Sequence, residues 1–108
     1  MSSFIIAPAA KQDLIEIWQY IAEDNLSAAD NIVNTIYEKC NLLCQQPNMG
    51  RLRIDLTNRS VRFWPVYNYL IIYKDASNPL EIARILSGYR NILRYQISTT
   101  PIQYLKYN

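Results

Sequence analysis

Residues 36–56, IYEKCNLLCQQPNMGRLRIDL, decide the fold, because the hydrophobic period changes inside them. Up to Cys44 the apolar positions Ile36, Tyr37, Cys40, Leu43 and Cys44 recur three or four apart, the spacing of one helix face. From Arg51 onward the period is two: Leu52, Ile54 and Leu56 alternate with Arg51, Arg53 and Asp55, which describes a half-buried strand. Pro47 and Gly50 stand between the two patterns and stop the helix.

Toward the N-terminus the same stripe starts at Ala29, Ile32 and Val33. Ser27 reads as its N-cap, with Asp30 three residues on in a capping-box-like arrangement. Before it, Ala10, Leu14, Ile17, Trp18, Ile21 and Ala22 form a second helical stripe, with Asp13, Glu16, Gln19 and Glu23 opposite. Pro8 suits the first turn of that helix, where its missing N–H costs nothing, and the pattern stops near Asp24-Asn25. The short link makes the helices an antiparallel hairpin. Trp18 and Tyr37 lie on the apolar stripes and read as core. Phe4-Ile5-Ile6 is a first strand ending before Pro8.

Toward the C-terminus, Thr57-Asn58-Arg59-Ser60 is turn chemistry. Val61 and Phe63 alternate with Arg62 and Trp64 up to Pro65, Tyr69–Tyr73 is the continuous apolar run of a central strand, and Leu80–Leu86 is the last strand after the turn Asp75–Pro79. Consecutive strands on short turns imply an antiparallel meander whose apolar face must be covered, and the helix hairpin is the cover. The reading is α+β, one domain over residues 1–108 in the order β-α-α-β-β-β, an antiparallel sheet covered on one face by a helical hairpin. Ser98–Asn108 is a tail that packs, pairs or frays.

Composition narrows the chemistry. Half of the 108 residues are apolar, which rules out a disordered chain. No segment reads as a signal peptide or membrane span, so the expected location is the cytoplasm. Cys40 and Cys44 sit on an apolar stripe and read as buried thiols. The chain has no histidine, so a Ser-His-Asp or Cys-His mechanism is excluded and the commonest general base is missing. Gly50 and Gly88, the two glycines, cannot build a nucleotide-binding loop, and no paired carboxylates stand out; no cofactor and no metal are expected.

The net charge of +2 is segregated: residues 1–50 hold Lys11 and Lys39 against six acids, and residues 51–108 hold nine basic residues against Asp55, Asp75 and Glu81. All seven arginines lie between Arg51 and Arg94, which points to a polyanionic or acidic partner for the second half. Arg51 and Arg53 share a strand face, as do Arg62 and Trp64, while Arg84, Tyr89 and Arg90 belong to or follow the last strand. With those strands adjacent, the side chains would make one basic, aromatic surface suited to phosphates and bases, or to an acidic protein. Each single arginine also has a plainer reading as a solvated strand residue. Arg84, which interrupts the apolar run Ile82–Leu86, has the alternative of a structural ion pair with Glu81 or Asp55.

Several segments, in order, resemble the RelE/ParE toxin superfamily. Lys11–Ile21 is similar to the "DL.EIW.YIA" helix of ParE-type toxins, and Pro47-Asn48-Met49-Gly50-Arg51 to their "P.MGR" turn. Arg62–Pro65, Tyr69–Tyr73 and Glu81–Leu86 resemble the "R..P", "YLIIY" and "EI.RILHG.R" strands, with Ser87 in place of the usual histidine. The resemblance implies the toxin of a type II toxin–antitoxin (plasmid stabilisation) system, with a cognate antitoxin as partner in a hetero-oligomer. The ParE branch implies a non-enzymatic inhibitor of DNA gyrase. The RelE branch implies a ribosome-dependent endoribonuclease that cuts mRNA with lysines, arginines and a C-terminal tyrosine. The "EIW" helix and "P.MGR" turn favour ParE. Arg90 falls at a nuclease-branch arginine, Tyr95 lies one residue before the tyrosine position, and Arg51 and Arg53 replace a lysine-rich strand. A degenerate toxin that only binds antitoxin is a third reading. The candidate target-binding residues are Arg51, Arg53, Arg62, Trp64, Arg84, Tyr89 and Arg90, with no catalytic residue singled out.

Overall fold

The computed structural model describes residues 3–52 and 61–87. β1 (Phe4–Ile6) is followed by α1 (Pro8–Ala22), α2 (Leu26–Gln45), the two-residue β2 (Arg51–Leu52), β3 (Arg62–Val66), β4 (Tyr69–Lys74) and β5 (Leu80–Ser87). This is the α+β order read from the sequence, with β2 as a short edge ahead of the three longer strands. The sheet order is β1-β5-β4-β3-β2. β2 to β5 pair antiparallel as expected, but β1 pairs parallel with β5, so the sheet is mixed. The helical hairpin carries the chain back across the sheet, and the meander returns β5 beside β1 in the same direction.

Pro8 opens α1 as its first residue. The start of α2 differs from the capping-box reading: Asn25 is the N-cap, extended at φ −156° and ψ 105°, and its side chain accepts from the Ala28 N–H at 2.9 Å. Ser27 therefore lies inside the helix, and Asp30 accepts from the Trp18 indole N–H at 2.8 Å. That bond explains why Trp18 is half-buried: an indole N–H needs an acceptor and settles at a boundary. Tyr37 is 41% exposed, another correction to the core reading. The two apolar stripes are wider than the sheet can cover, and their flanks stay outside.

The sheet is buried on both faces. On the helix side, Leu14, Ile17, Ile36, Cys40 and Leu43 pack against Val66, Ile71, Tyr73, Ile82 and Ile85. On the other side, a second buried cluster brings together Val61, Phe63, Leu70, Ile72 and Leu86 among the described residues. This two-sided burial is why Tyr69–Tyr73 reads as a continuous apolar run instead of an alternation. β3 continues through Pro65 to Val66, past the expected stop, since the described part of β2 pairs only with Arg62 and Phe63 and no ladder bond from β2 is lost at the proline. Leu52 is 45% exposed, not buried as the alternation suggested; Arg53–Leu56 lie outside the described residues, as does the tail Ser98–Asn108.

Candidate functional site

Residues paired directly across strands share a face of the sheet, and the register sorts the arginines. Leu52, Arg62, Tyr73, Ile82 and Ile6 form one row, on the helix side with Tyr73 and Ile82. Arg51, Phe63, Ile72 and Arg84 form the adjacent row, on the other side with Phe63 and Ile72. The single basic, aromatic surface anticipated from the sequence is thus divided. Arg62 and Trp64 share a face, but Arg51 and Arg84 start from the opposite one, at the two ends of a row about 14 Å long at the usual strand spacing. Arg53, Tyr89 and Arg90 lie outside the described residues.

A bulge gives Arg84 its place. The register slips between Ile72 and Tyr73, so that Ala83 and Arg84 stand against Ile72 alone. Ala83 packs on the second cluster, and Arg84 reaches the sheet edge, where its guanidinium grips Asp13 of α1 through Nε at 2.7 Å and Nη2 at 2.9 Å. Of the two partners considered from the sequence, Glu81 pairs with Lys74 instead, and Asp55 lies outside the described residues. The same Asp13 carboxylate accepts the Ile85 N–H at 2.9 Å. β1 pairs only with Leu80–Ile82, so beyond Ile82 the Asp13 side chain takes the place of a neighbouring strand. Arg84 is 30% exposed in side chain, so this pair stays in touch with solvent.

Arg62 is held more deeply, at 19% side-chain exposure. Its Nε donates to Asp75 at 2.6 Å, and its Nη1 donates to the carbonyls of Gly50 at 2.9 Å and Asn48 at 3.4 Å. Tyr73, fully buried, completes this corner: its hydroxyl donates to the Pro47 carbonyl at 2.7 Å and accepts the Gly50 N–H at 2.8 Å. Burial, the largest cause, raises the Tyr73 hydroxyl above its ordinary pKa, so it is protonated at neutral pH. Lys74 and Glu81 form a third pair at 3.4 Å. Trp64 is half-buried against the helix-side core. Arg51 is exposed, and among the described residues no side chain pairs with its guanidinium.

Sequence reasoning missed Asp13, Asp75 and Tyr73. Asp13 reads as one of four polar residues on the solvent face of its helix, and Asp75 as part of a turn, so neither stands out from its neighbours. Gly50 carried the one usable signal, since a glycine beside the helix stop marks a close approach. Between the two helices, Leu14, Ile15, Trp18, Val33 and Tyr37, together with Lys11 and Gln19, line an open groove of about 380 Å³. Cys40 and Cys44 are free and buried, and burial, with the neighbouring Cys44 second, pushes the Cys40 thiol up to about 12. Among the described residues no three His, Cys, Asp or Glu side chains are grouped to hold a metal, and no helix is long and apolar enough to cross a membrane.

The fold has a solved counterpart. A chromosomal ParDE TA system from P. aeruginosa superposes with a TM-score of 0.68 at 23% identity, over 82% of this chain and 97% of that one. At that identity the likeness establishes the fold alone. No curated protein matches in sequence. The family model for the ParE toxin of type II toxin-antitoxin system, parDE, matches residues 4–92, a span that takes in both helices, the Pro47–Arg51 corner and every strand described above. The chain belongs to that family of type II toxins.

Proposed function

We propose that this toxin acts by binding, as an antitoxin-neutralised inhibitor of DNA gyrase, and that it performs no chemistry of its own. The family carries the toxin assignment; the observation that favours binding over RNA cleavage is the state of the ionisable groups. Among the described residues, Asp13, Asp75 and Glu81, the acids that bond to side chains of the sheet, each accept from a basic side chain, and the Tyr73 hydroxyl is committed to Pro47 and Gly50. None stands as a base within reach of an incoming proton. Histidine is absent altogether. Among the described residues, the positive charge the sheet leaves for a partner is that of Arg51, exposed and without an ion pair, which suits recognition of an acidic or phosphate-bearing surface.

The solved counterpart is one of a ParDE pair, which supports an antitoxin here too. The mainly apolar groove between the helices is the place where we expect an amphipathic helix of such a partner to lay its apolar face. Expression of the chain alone should arrest bacterial growth, and co-expression of the small protein encoded beside it should restore growth. Purified protein should abolish gyrase supercoiling or accumulate cleaved DNA. Cuts in mRNA on translating ribosomes, with gyrase untouched, would assign the nuclease branch instead. Normal growth with folded protein present would assign a degenerate toxin.

A further inference from the structure

The corner between α2 and β2 is fastened from inside the molecule. Both polar groups of Gly50 are captured by side chains from the sheet: its N–H by the Tyr73 hydroxyl at 2.8 Å, its carbonyl by Arg62 at 2.9 Å. The preceding carbonyls of Pro47 and Asn48 are held by the same two residues. Arg62 is in turn fixed by Asp75 at 2.6 Å. Surface turns ordinarily leave such groups to water. Here a buried tyrosine and a largely covered arginine are both committed to a corner whose next residue is Arg51.

Arg51 differs from the other two described arginines. Arg62 and Arg84 have donors engaged by carboxylates of this chain, whereas Arg51 is exposed, on the outermost of the described strands, on the face away from the helices. An arginine is a five-donor fork whose usefulness depends on how firmly its backbone is placed. We infer that Tyr73 and Arg62 are positioning residues that fix Arg51 at the sheet edge as the cation that meets an oxyanion of the target. The inference rests on the binding function proposed above. It moves the target-contacting role from Arg62 to Arg51, with Arg62 acting through it.

The test is a double-mutant cycle on the full chain with Arg51→Ala, Tyr73→Phe and the combination, reading gyrase inhibition and melting temperature. Arg51→Ala should weaken inhibition at least about tenfold, the scale of losing one charged contact, with the melting temperature unchanged. Tyr73→Phe should lower the melting temperature and weaken inhibition severalfold. In the Arg51→Ala background it should still lower the melting temperature but leave inhibition where it was, because the residue it positions is gone. A merely structural tyrosine gives the opposite: equal fold-losses of inhibition in both backgrounds, which overturns the positioning role. Arg62→Lys, which keeps the charge but loses the fork to Gly50, provides the same cycle if Tyr73→Phe does not fold. Full inhibition by Arg51→Ala overturns the assignment of Arg51. A wild-type chain that leaves gyrase untouched overturns the functional reading itself, a result separable from additivity in an inhibitory series. Binding to gyrase with and without DNA locates the oxyanion: an Arg51 effect without DNA is a protein carboxylate, and one that needs DNA is a phosphate.

Discussion

Gly50→Ala tests the inner fastening of the helix-to-strand corner. A Cβ built on Gly50 would lie 2.4 Å from the Tyr73 hydroxyl oxygen, 2.8 Å from its Cε1 and 2.9 Å from its Cζ. The φ of Gly50 lies outside the left-handed region, so alanine carries no backbone strain there. By itself the change even favours folding by about 0.4–1 kcal/mol through the unfolded chain. Against that, Tyr73 is fully buried, and its hydroxyl is held in place by the Gly50 N–H and the Pro47 carbonyl. Overpacking of this kind costs about 1–3 kcal/mol, and displacing the hydroxyl from the Gly50 N–H and Pro47 carbonyl adds about 1–3 kcal/mol for groups left unsatisfied. Taken at mid-range these give a net loss of about 3 kcal/mol, or roughly 12–24 °C in Tm for a domain of this size. Urea denaturation followed by tryptophan fluorescence reads it directly. A variant within about 0.5 kcal/mol of wild type, the range of an ordinary surface change, refutes the close approach. The cost of Gly50→Ala should shrink by about 1 kcal/mol in a Tyr73→Phe background, where the nearest clashing atom is gone.

Asp13→Ala strips Arg84 and the Ile85 N–H of their shared acceptor and should destabilise by about 1–3 kcal/mol, discounted from the buried-pair range because Arg84 is partly exposed; thermal melts of Asp13→Ala beside Glu16→Ala check it, and equal melts would dismiss Asp13 as a strand substitute. Asn25→Ala should cost about 1 kcal/mol as a lost N-cap, while Ser27→Ala stays near neutral; the reverse ranking in denaturation midpoints would restore the capping box at Ser27. Stability should be level in these groups below pH 9 and decline above it. Burial keeps the Cys40 proton on up to about 12, against 9.0 for an ordinary thiol, so the unfolded chain binds fewer protons between those limits. Tyr69 and Tyr73, also raised by burial, extend the same trend above 10. Urea midpoints from pH 7 to 10.5 should fall, at most about 1.4 kcal/mol per pH unit for each group, and Cys40→Ala should flatten the first part of that fall; an unchanged slope contradicts the burial argument.

The helices and the longer strands were legible because their apolar spacing has only one structural reading. Ala10–Ala22 and Ala29–Cys44 cannot bury their stripes except as helices, and the run Tyr69–Tyr73 cannot be a half-exposed strand. Caps were less legible: Asn25 and Ser27 are both capable, and backbone geometry two residues apart decides between them. The arginine face was misjudged for a definite reason. Alternation assigns faces only within one strand, and the relative faces of Arg51, Arg62 and Arg84 depend on pairing register and on the bulge at Ala83–Arg84, which no local pattern announces. The Arg84–Asp13 pair spans 71 positions, and single-sequence reading has no measure of such a contact. The parallel placement of β1 escaped for the same reason, since three apolar residues before a proline carry no direction.

That parallel pairing sets the order in which the molecule can be finished. Phe4 meets Leu80 across 76 positions, whereas the helical hairpin and the meander close over short distances. At roughly 5–20 residues per second, a ribosome makes β5 about 4–15 s after β1. Local helical contacts form within microseconds to milliseconds, so the hairpin has long been waiting when the last strand arrives. Only then can β1 find its edge and Asp13 close on Arg84 and Ile85. The first strand and the first helix are therefore the latch, and every nascent copy passes through seconds in which the toxin's sheet is unlatched.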